Sequence, residues 1–221
     1  MHSEQYNTHE ASFNTRHIKE LLVNATLKHV KFDGFCDESL HMGARDIGIS
    51  IANANALFPN SKKDVIAYWF QMLDDESRSY GQNLDTNMRI RDKISTMVKH
   101  RITCLKPHKV CLKMVIGHSA MPANITTALH GLYDSAGTMW EAIGDTTPPS
   151  DRNHYTKRLI LATVLICSIS FYLQDDSNEI DAYIDNRIND ALKLGKIKSI
   201  QSLQDLTQYL PYMNHPLKMR D

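Results

Sequence analysis

One stretch of the sequence, from Arg158 to Asp176, limits what the chain can fold into more than any other. No charged residue occurs between Leu159 and Leu173, and apolar side chains appear at every helical azimuth instead of along one stripe. A helix with this pattern must be covered on all sides. Crossing a bilayer takes about 20 apolar residues, whereas this run has fifteen. We therefore expect a central helix that is buried in protein.

The rest of the sequence predicts amphipathic helices around this central one, because apolar residues recur at three- and four-residue steps. Ser, Asn or Asp precedes several of these segments and Gly follows them, as at helix starts and ends. The predicted helices cover about residues 14–30, 37–47, 51–57, 61–84, 87–105, 123–143, 154–173 and 179–194, with a short helix between Pro107 and Pro122. The predicted fold is an all-α bundle of about nine to ten helices.

The net charge argues against a protein that binds nucleic acid or an acidic membrane through its overall charge. Lysine plus arginine and aspartate plus glutamate number 25 each, so any such binding needs a local patch. The amino end, MHSEQYNTHE, has neither the apolar core of a signal peptide nor the composition of a transit peptide. We therefore expect a cytoplasmic location.

A metal site is not expected from the sequence. The four cysteines fall on apolar-looking helical positions without a CxxC pair, which indicates core thiols. His100, Cys104, His108 and Cys111 have a spacing that permits a ligand face, but Pro107 breaks the helix inside this set. Surface histidines and core cysteines are the favoured interpretation.

Motifs of catalysis are also missing from the sequence, so neither an enzyme nor a cofactor is expected. There is no Gly-rich phosphate loop, no Ser/His/Asp order and no HExxH motif. The adjacent acids Asp175 and Asp176 indicate a solvated helix end. An enzyme on a helical scaffold remains the weakest of the alternatives.

The order of elements in the first 70 residues is similar to the helix-turn-helix head of TetR-type regulators. Residues 1–60 nevertheless hold five basic side chains against seven acidic ones, a poor balance for reading DNA. The segment ISIANANALF, in the position of a recognition helix, has no Arg or Lys, and only Asn53 and Asn55 could read bases. Nucleic-acid binding is therefore not the expected function, and a TetR-like regulator with a small hydrophobic ligand is the alternative.

Two further segments suggest surfaces. Residues 144–158, GDTTPPSDRNHYTKR, form either a protein-contact surface or the seal of one end of the core. Beyond Gly195, apolar residues follow three- and four-residue steps and predict an amphipathic helix, which either packs on the body or lies in a membrane interface. They are Ile197, Ile200, Leu203, Leu206, Leu210 and Met213.

Six segments together resemble one protein family. They are FDGFCDESL (32–40), FPNSKKDVIAYW (58–69), MWEAIGDTT (139–147), NHYTKR (153–158), LQDDS (173–177) and DNRINDALKLGK (185–196). The combination, spread over most of residues 17–196, resembles the ninth Coq protein family, whose members share a TetR-like helical fold. The resemblance implies a non-enzymatic, lipid-binding accessory protein of ubiquinone biosynthesis. Such a protein holds an isoprenoid quinone precursor and presents it to the demethoxyubiquinone hydroxylase.

The resemblance also implies functional residues. Carried over by motif, the partner-binding patch comprises Met139, Tyr155 and Arg158, together with His154, which stands where the family usually has tryptophan. The family binds membranes through a C-terminal amphipathic helix, which corresponds to the stripe Ile197 to Met213. The apolar central helix could offer a wall for a lipid tail, although the same residues could equally be ordinary core. The candidates for lipid contact are Leu132, Ala136, Leu161, Leu165, Ile169 and Tyr172.

The resulting hypothesis is a homodimer that is peripheral on the inner membrane and binds an isoprenoid quinone precursor or a phospholipid. Its predicted domains are a disordered start (1–13), a helix-turn-helix-like head with a connecting helix (14–84), a lipid-binding body (85–194) and an amphipathic C-terminal helix and tail (195–221).

Overall fold

The computed structural model describes residues 2–174 and 179–196, and within these ranges the regular structure is helical with no strand. The predicted all-α class is therefore confirmed. In chain order, the helices are α1 (His2–Asp33), α2 (Asp37–Asp46), α3 (Ile51–Leu57), α4 (Ser61–Gln82), α5 (Ile90–Leu105), α6 (Lys109–Ser119), α7 (Ile125–Ala142), α8 (Arg152–Gln174) and α9 (Ile180–Lys196), with a 3-10 turn (Lys106–His108) before α6.

The helix ends follow from local chemistry that the sequence shows. The hydroxyl of Ser50 accepts a hydrogen bond of 3.2 Å from the Asn53 amide and so caps the start of α3. The carboxylate of Asp151 accepts one of 2.8 Å from the Asn153 amide at the start of α8. Gly144, just beyond α7, has a φ of 88°, a backbone conformation that side chains with a Cβ rarely adopt.

Two helix starts differ from those predicted by three residues or more. The first helix begins at His2 instead of Asn14, and residues 2–14 contain no Pro or Gly that would stop it. The fifth begins at Ile90 instead of Asn87, because the Asn87 amide donates to the Asp85 carboxylate at 2.9 Å in a local turn. The division of the chain into domains stays a prediction.

The central helix α8 is covered on most sides but not on all. It packs against α7 and α9, and Leu161, Leu165 and Ile169 are at most 5% exposed. One strip of α8 faces solvent, formed by Leu159, Thr163, Ile166 and Ser170 at three- and four-residue steps. The expectation of an entirely surrounded helix was therefore wrong. Two of the three polar residues in the run, Thr163 and Ser170, lie on this strip.

Within the described residues, α8 is the one helix long and apolar enough to cross a membrane, a test that buried core helices also pass. Because α8 packs against α7 and α9, it is a core helix of the bundle, as predicted.

A buried arginine ties three helices together. Arg101 on α5 is 3% exposed and contacts the Asp74 carboxylate and the Ser77 hydroxyl on α4. It also donates to the Ser135 hydroxyl on α7 at 2.9 Å. Because a buried charge is costly without partners, these contacts fix how α4, α5 and α7 meet.

Two of the six segments that resemble the family, residues 32–40 and 58–69, contact each other in the N-terminal part of the bundle. The Ser61 hydroxyl at the start of α4 donates to the Asp37 carboxylate at the start of α2. The rings of Phe35 and Trp69 stack with centroids 6.4 Å apart. The segments around residues 32–40 and 58–69 therefore hold the head helices against each other.

Helices α1 and α2 approach each other closely at Gly43. A Cβ at this position would lie 2.6 Å from the Thr26 hydroxyl oxygen and 2.7 Å from the Thr26 amide nitrogen. Backbone atoms cannot move aside as a flexible side chain can, so α2 packs on α1 only without a side chain here.

We expect Gly43→Ala to lower the free energy of unfolding by roughly 1–3 kcal/mol through overpacking. Gly131→Ala is the matched control, since Gly131 is an exposed position in α7 with nothing within 4 Å of its Cβ position. That control should gain about 0.5–1 kcal/mol from helix propensity. Urea unfolding of both variants measures the difference, and a neutral Gly43→Ala would mean that α1 and α2 do not pack this closely.

Candidate protein-contact and lipid-binding site

The loop between α7 and α8, residues 143–151, is held against α8 by an ion pair. The Lys157 ammonium contacts the Asp145 carboxylate and lies 2.6 Å from the Thr147 hydroxyl. Only 11% of the Lys157 side chain and 13% of the Asp145 side chain are exposed. The Trp140 indole donates to the Lys157 carbonyl at 3.2 Å, which adds a link from α7. Asp145, Thr147 and Lys157 therefore hold the loop in place.

The ion pair also sets the protonation of Asp145. Burial alone raises the pKa of this carboxyl, but hydrogen bonds from Lys157 and Thr147 and the Lys157 charge outweigh it. The net result is a pKa below the ordinary value of the carboxyl. Asp145 is therefore ionised at neutral pH, as the pair requires.

His154 is part of the same loop structure. Its Nδ1 lies 2.8 Å from the Thr147 carbonyl oxygen, so this nitrogen carries the proton and donates it. The ring is half-buried and lies edge-on to Tyr155, with centroids 5.1 Å apart. The residue in the place of the usual tryptophan thus packs inward against its own loop.

The predicted partner-binding residues divide between surface and interior. Tyr155 is 48% exposed, whereas Met139 is fully buried and Arg158 is 5% exposed. Arg158 donates to the His154 carbonyl at 3.1 Å and to the Glu141 carboxylate at 3.2 Å. Of the predicted residues, Tyr155 is thus the one whose side chain is available for direct contact, and Met139 and Arg158 lie beneath the surface.

Two buried polar atoms near this surface have no hydrogen-bond partner among the described residues, and one of them is the Oδ2 of Asp145. The Tyr133 hydroxyl is buried without a partner among the described residues. Burial raises the pKa of this hydroxyl, an effect that the Arg158 charge opposes. Sequence reasoning missed Tyr133, because it looked like another apolar position on the face of α7.

The predicted lipid-contact residues lie together in the core. Ala136, Leu161, Leu165, Ile169 and Tyr172 are each at most 8% exposed, and the half-buried Leu132 packs against the same cluster. The Tyr172 hydroxyl donates to the Lys106 carbonyl at 3.5 Å, which fixes one end of this wall. The arrangement suits a lipid tail and an ordinary core equally, so their role in lipid binding stays a prediction.

The predicted membrane-binding stripe, Ile197, Ile200, Leu203, Leu206, Leu210 and Met213, lies outside the described residues.

The segment 185–196 has a structural role of its own. Asp185 on α9 accepts from the Ser95 hydroxyl at 2.5 Å and from the Lys99 ammonium at 2.8 Å, both on α5. Burial alone raises the pKa of Asp185, but these hydrogen bonds and the positive charges of Lys99 and Arg91 bring the pKa below its ordinary value. The carboxylate thus fastens α9 to the bundle.

The four sequence candidates for metal ligation do not form one group. His100 and Cys104 lie together, with 3.5 Å between Nε2 and Sγ. His108 instead lies edge-on to Trp69, and the Cys111 thiol donates to the Leu27 carbonyl. Glu76, which sequence spacing could not identify, approaches His100 from α4.

Asp145→Asn should lower the free energy of unfolding at pH 7 by roughly 1–3 kcal/mol, because Lys157 loses its buried counter-charge. A lowered folded pKa gives stabilisation that is complete above the unfolded-state pKa of about 3.9 and is lost as pH falls through the folded pKa. The deficit should therefore disappear in strong acid.

Denaturant titrations across this pH range measure the effect. Asp134→Asn, at an exposed acid on α7, is the control and should leave stability nearly unchanged. A deficit of equal size at all pH values would contradict the ion pair.

Comparison with known proteins supports the resemblance. Residues 125–195, which include α7, the loop and α8, match the COQ9 family model. The chain is 25% identical over 193 residues to the ubiquinone biosynthesis protein COQ9, mitochondrial, of Rattus norvegicus, covering 80% of this chain and 60% of the rat protein. It is 24% identical over 201 residues to the coq9 protein of Schizosaccharomyces pombe, covering 90% of this chain and 78% of that protein. The chain thus spans less than two thirds of the rat relative.

Among solved structures, a TetR transcriptional regulator from Nitrosomonas europaea matches with a TM-score of 0.62 at 12% identity. The match covers 79% of this chain and 98% of the regulator. At this identity the likeness concerns the fold alone. The predicted resemblance to the ninth Coq protein family, and with it the TetR-like helical fold, is confirmed.

Proposed function

We propose that the chain is a non-enzymatic accessory protein of ubiquinone biosynthesis that binds an isoprenoid quinone precursor and presents it to the demethoxyubiquinone hydroxylase. The observation that carries the proposal is the similarity, over 80% and 90% of the chain, to two proteins named for ubiquinone biosynthesis. No cofactor is needed for this role.

Asp145 and Asp185, two acids in the segments that resemble the family, support a binding role over a catalytic one. Asp145 is engaged by Lys157, and Asp185 by Ser95 and Lys99. A general acid or base must reach a substrate proton. These acids instead hold helices and a loop in position, as a scaffold for binding requires.

The apolar contact between α7 and α8 is the proposed lipid-binding region. Leu132 and Ala136 on α7 belong to the same cluster as Leu161, Leu165, Ile169 and Tyr172 on α8. A lipid tail entering here would replace side-chain contacts with equally apolar ones, at little cost in hydrophobic free energy. A phospholipid tail is chemically suited to the same place.

The proposed hydroxylase-binding surface centres on Tyr155. Its neighbours on the exposed strip of α8 include Leu159, which is 50% exposed. Tyrosine and flanking apolar groups are typical of interface centres. His154 and Arg158 hold Tyr155 on a rigid helix start, which lowers the entropy lost on binding.

The proposed location is the cytoplasmic surface of the inner membrane, reached through the apolar stripe from Ile197 to Met213. Both relatives are named as mitochondrial proteins. A homodimer is proposed as well, since Ile166, farther along the exposed strip of α8, is an apolar residue that is 37% exposed and suits an interface.

The alternative of a TetR-like DNA-binding regulator has less support. The likeness to such a regulator concerns the fold, and α3 presents no Arg or Lys. Of its two candidate base readers, Asn55 is engaged by His41, with 3.0 Å between Oδ1 and Nε2.

Tyr155→Ala should weaken binding to the purified hydroxylase at least tenfold, about 1.4 kcal/mol, because an exposed aromatic anchor is lost. Isothermal titration calorimetry measures the affinity. Phe32→Ala is the matched control, since Phe32 on α1 is an aromatic residue that is 85% exposed. Unchanged affinity for Tyr155→Ala, or equal losses in both variants, would contradict the proposed surface.

A further inference from the structure

Three side chains of metal-ligating type converge on α4 and α5, none of which the proposed function uses. They are Glu76, His100 and Cys104, and one ligand atom from each lies within 4.8 Å of the other two. The Glu76 Oε1 lies 3.3 Å from the His100 Nε2, and the Cys104 Sγ lies 3.5 Å from the same nitrogen.

One hydrogen bond of the His100 Nε2 cannot serve both Glu76 and Cys104 at once. The Nε2 of an imidazole has one bonding position, which either carries a proton or accepts one. Bonded to the Glu76 carboxylate as a donor, it has no lone pair left for the Cys104 thiol. Bonded to the thiol as an acceptor, it has no proton left for the carboxylate. A cation between the three atoms would bond to all of them at once.

Two of the three separations fit a tetrahedral ion. Zn–N and Zn–O bonds of about 2.0–2.1 Å and a Zn–S bond of about 2.3 Å place N and O ligands about 3.3 Å apart and N and S ligands about 3.6 Å apart. The observed separations of 3.3 Å and 3.5 Å from the His100 Nε2 are close to these values. The third separation, between the Glu76 and Cys104 ligand atoms, is at most 4.8 Å. Binding therefore requires at most that these two atoms approach each other.

The fold orients the group. His100 and Cys104 are four residues apart on α5 and so share one face of the helix. The His100 ring stacks on Tyr80 of α4, with centroids 3.7 Å apart and an angle of 1° between the planes. This contact fixes the ring plane with Nε2 toward the other two ligands.

The surroundings also permit entry of an ion from solvent. The Glu76 side chain is 56% exposed and that of His100 20% exposed. The exposed carboxylate is thus the first group that an incoming cation would meet, while the nitrogen and sulfur lie deeper.

We propose that Glu76, His100 and Cys104 form a Zn²⁺ site that links α4 to α5. A carboxylate, an imidazole and a thiolate are all zinc ligands, and three protein ligands leave the fourth position to water. The Cys104 thiol gives up its proton to solvent as the Zn–S bond forms. Because the ligands come from two helices, bound zinc raises the stability of the α4–α5 pair.

Cobalt titration of tag-free, reduced protein tests the site, since Co²⁺ takes the same tetrahedral positions and its thiolate complex absorbs in the near ultraviolet. We expect this absorption to saturate at one equivalent, to disappear when Zn²⁺ is added, and to be lost in Cys104→Ser. Glu76→Gln changes an exposed residue, keeps the fold, and should weaken Co²⁺ binding at least tenfold.

The matched controls are Cys36→Ser, a half-buried thiol outside the group, and His108→Gln. Both should bind Co²⁺ as the unchanged protein does, and Zn²⁺ should raise the melting temperature of these controls but not of Cys104→Ser. Absence of thiolate absorption in the unchanged protein, its survival in Cys104→Ser, or its loss in His108→Gln would each overturn the proposal.

Discussion

The apolar side chains of α8 determine how the neighbouring helices are arranged. Leu161, Leu165 and Ile169 can leave water only if α7 and α9 lie against this helix. Fully burying each side chain of this size contributes about 1.5–3 kcal/mol. The position of α7 then determines where the loop 143–151 can run. The candidate contact surface exists because that loop must return to the start of α8.

Buried polar contacts specify which arrangement of these apolar helices forms. Apolar packing by itself tolerates many registers, whereas a buried charge accepts only the geometry that pairs it. Arg101 favours one arrangement of α4, α5 and α7. Lys157 favours one conformation of the loop 143–151. Asp185 does the same for α9 on α5. Lys157 and Asp185 lie in segments that resemble the family, so these segments in part fix the helices and the loop in place. Tyr155 and one strip of α8 remain exposed.

Much of the fold could be predicted because its signals are local. Ser50 and Asp151 determine helix starts through their side-chain oxygens, and Gly144 determines a helix end through its backbone conformation. The predicted ends of α3, α7 and α8 were therefore within a few residues. The solvent-facing strip of α8 was not predicted from the sequence, since Leu159 and Ile166 are apolar although exposed. Burial of Met139 depends on how α7 meets α8, which no local pattern encodes. For the same reason, spacing identified His100 with Cys104 but not Glu76, which reaches them from another helix.

In the role that we propose, the chain carries an isoprenoid lipid for a partner enzyme. Native mass spectrometry of the purified protein, followed by organic extraction and analysis of what it releases, is the decisive measurement. We expect an isoprenoid quinone or one of its precursors in near-stoichiometric amount. A protein that leaves the cell empty, and that takes up no such lipid from vesicles containing it, would rule this role out.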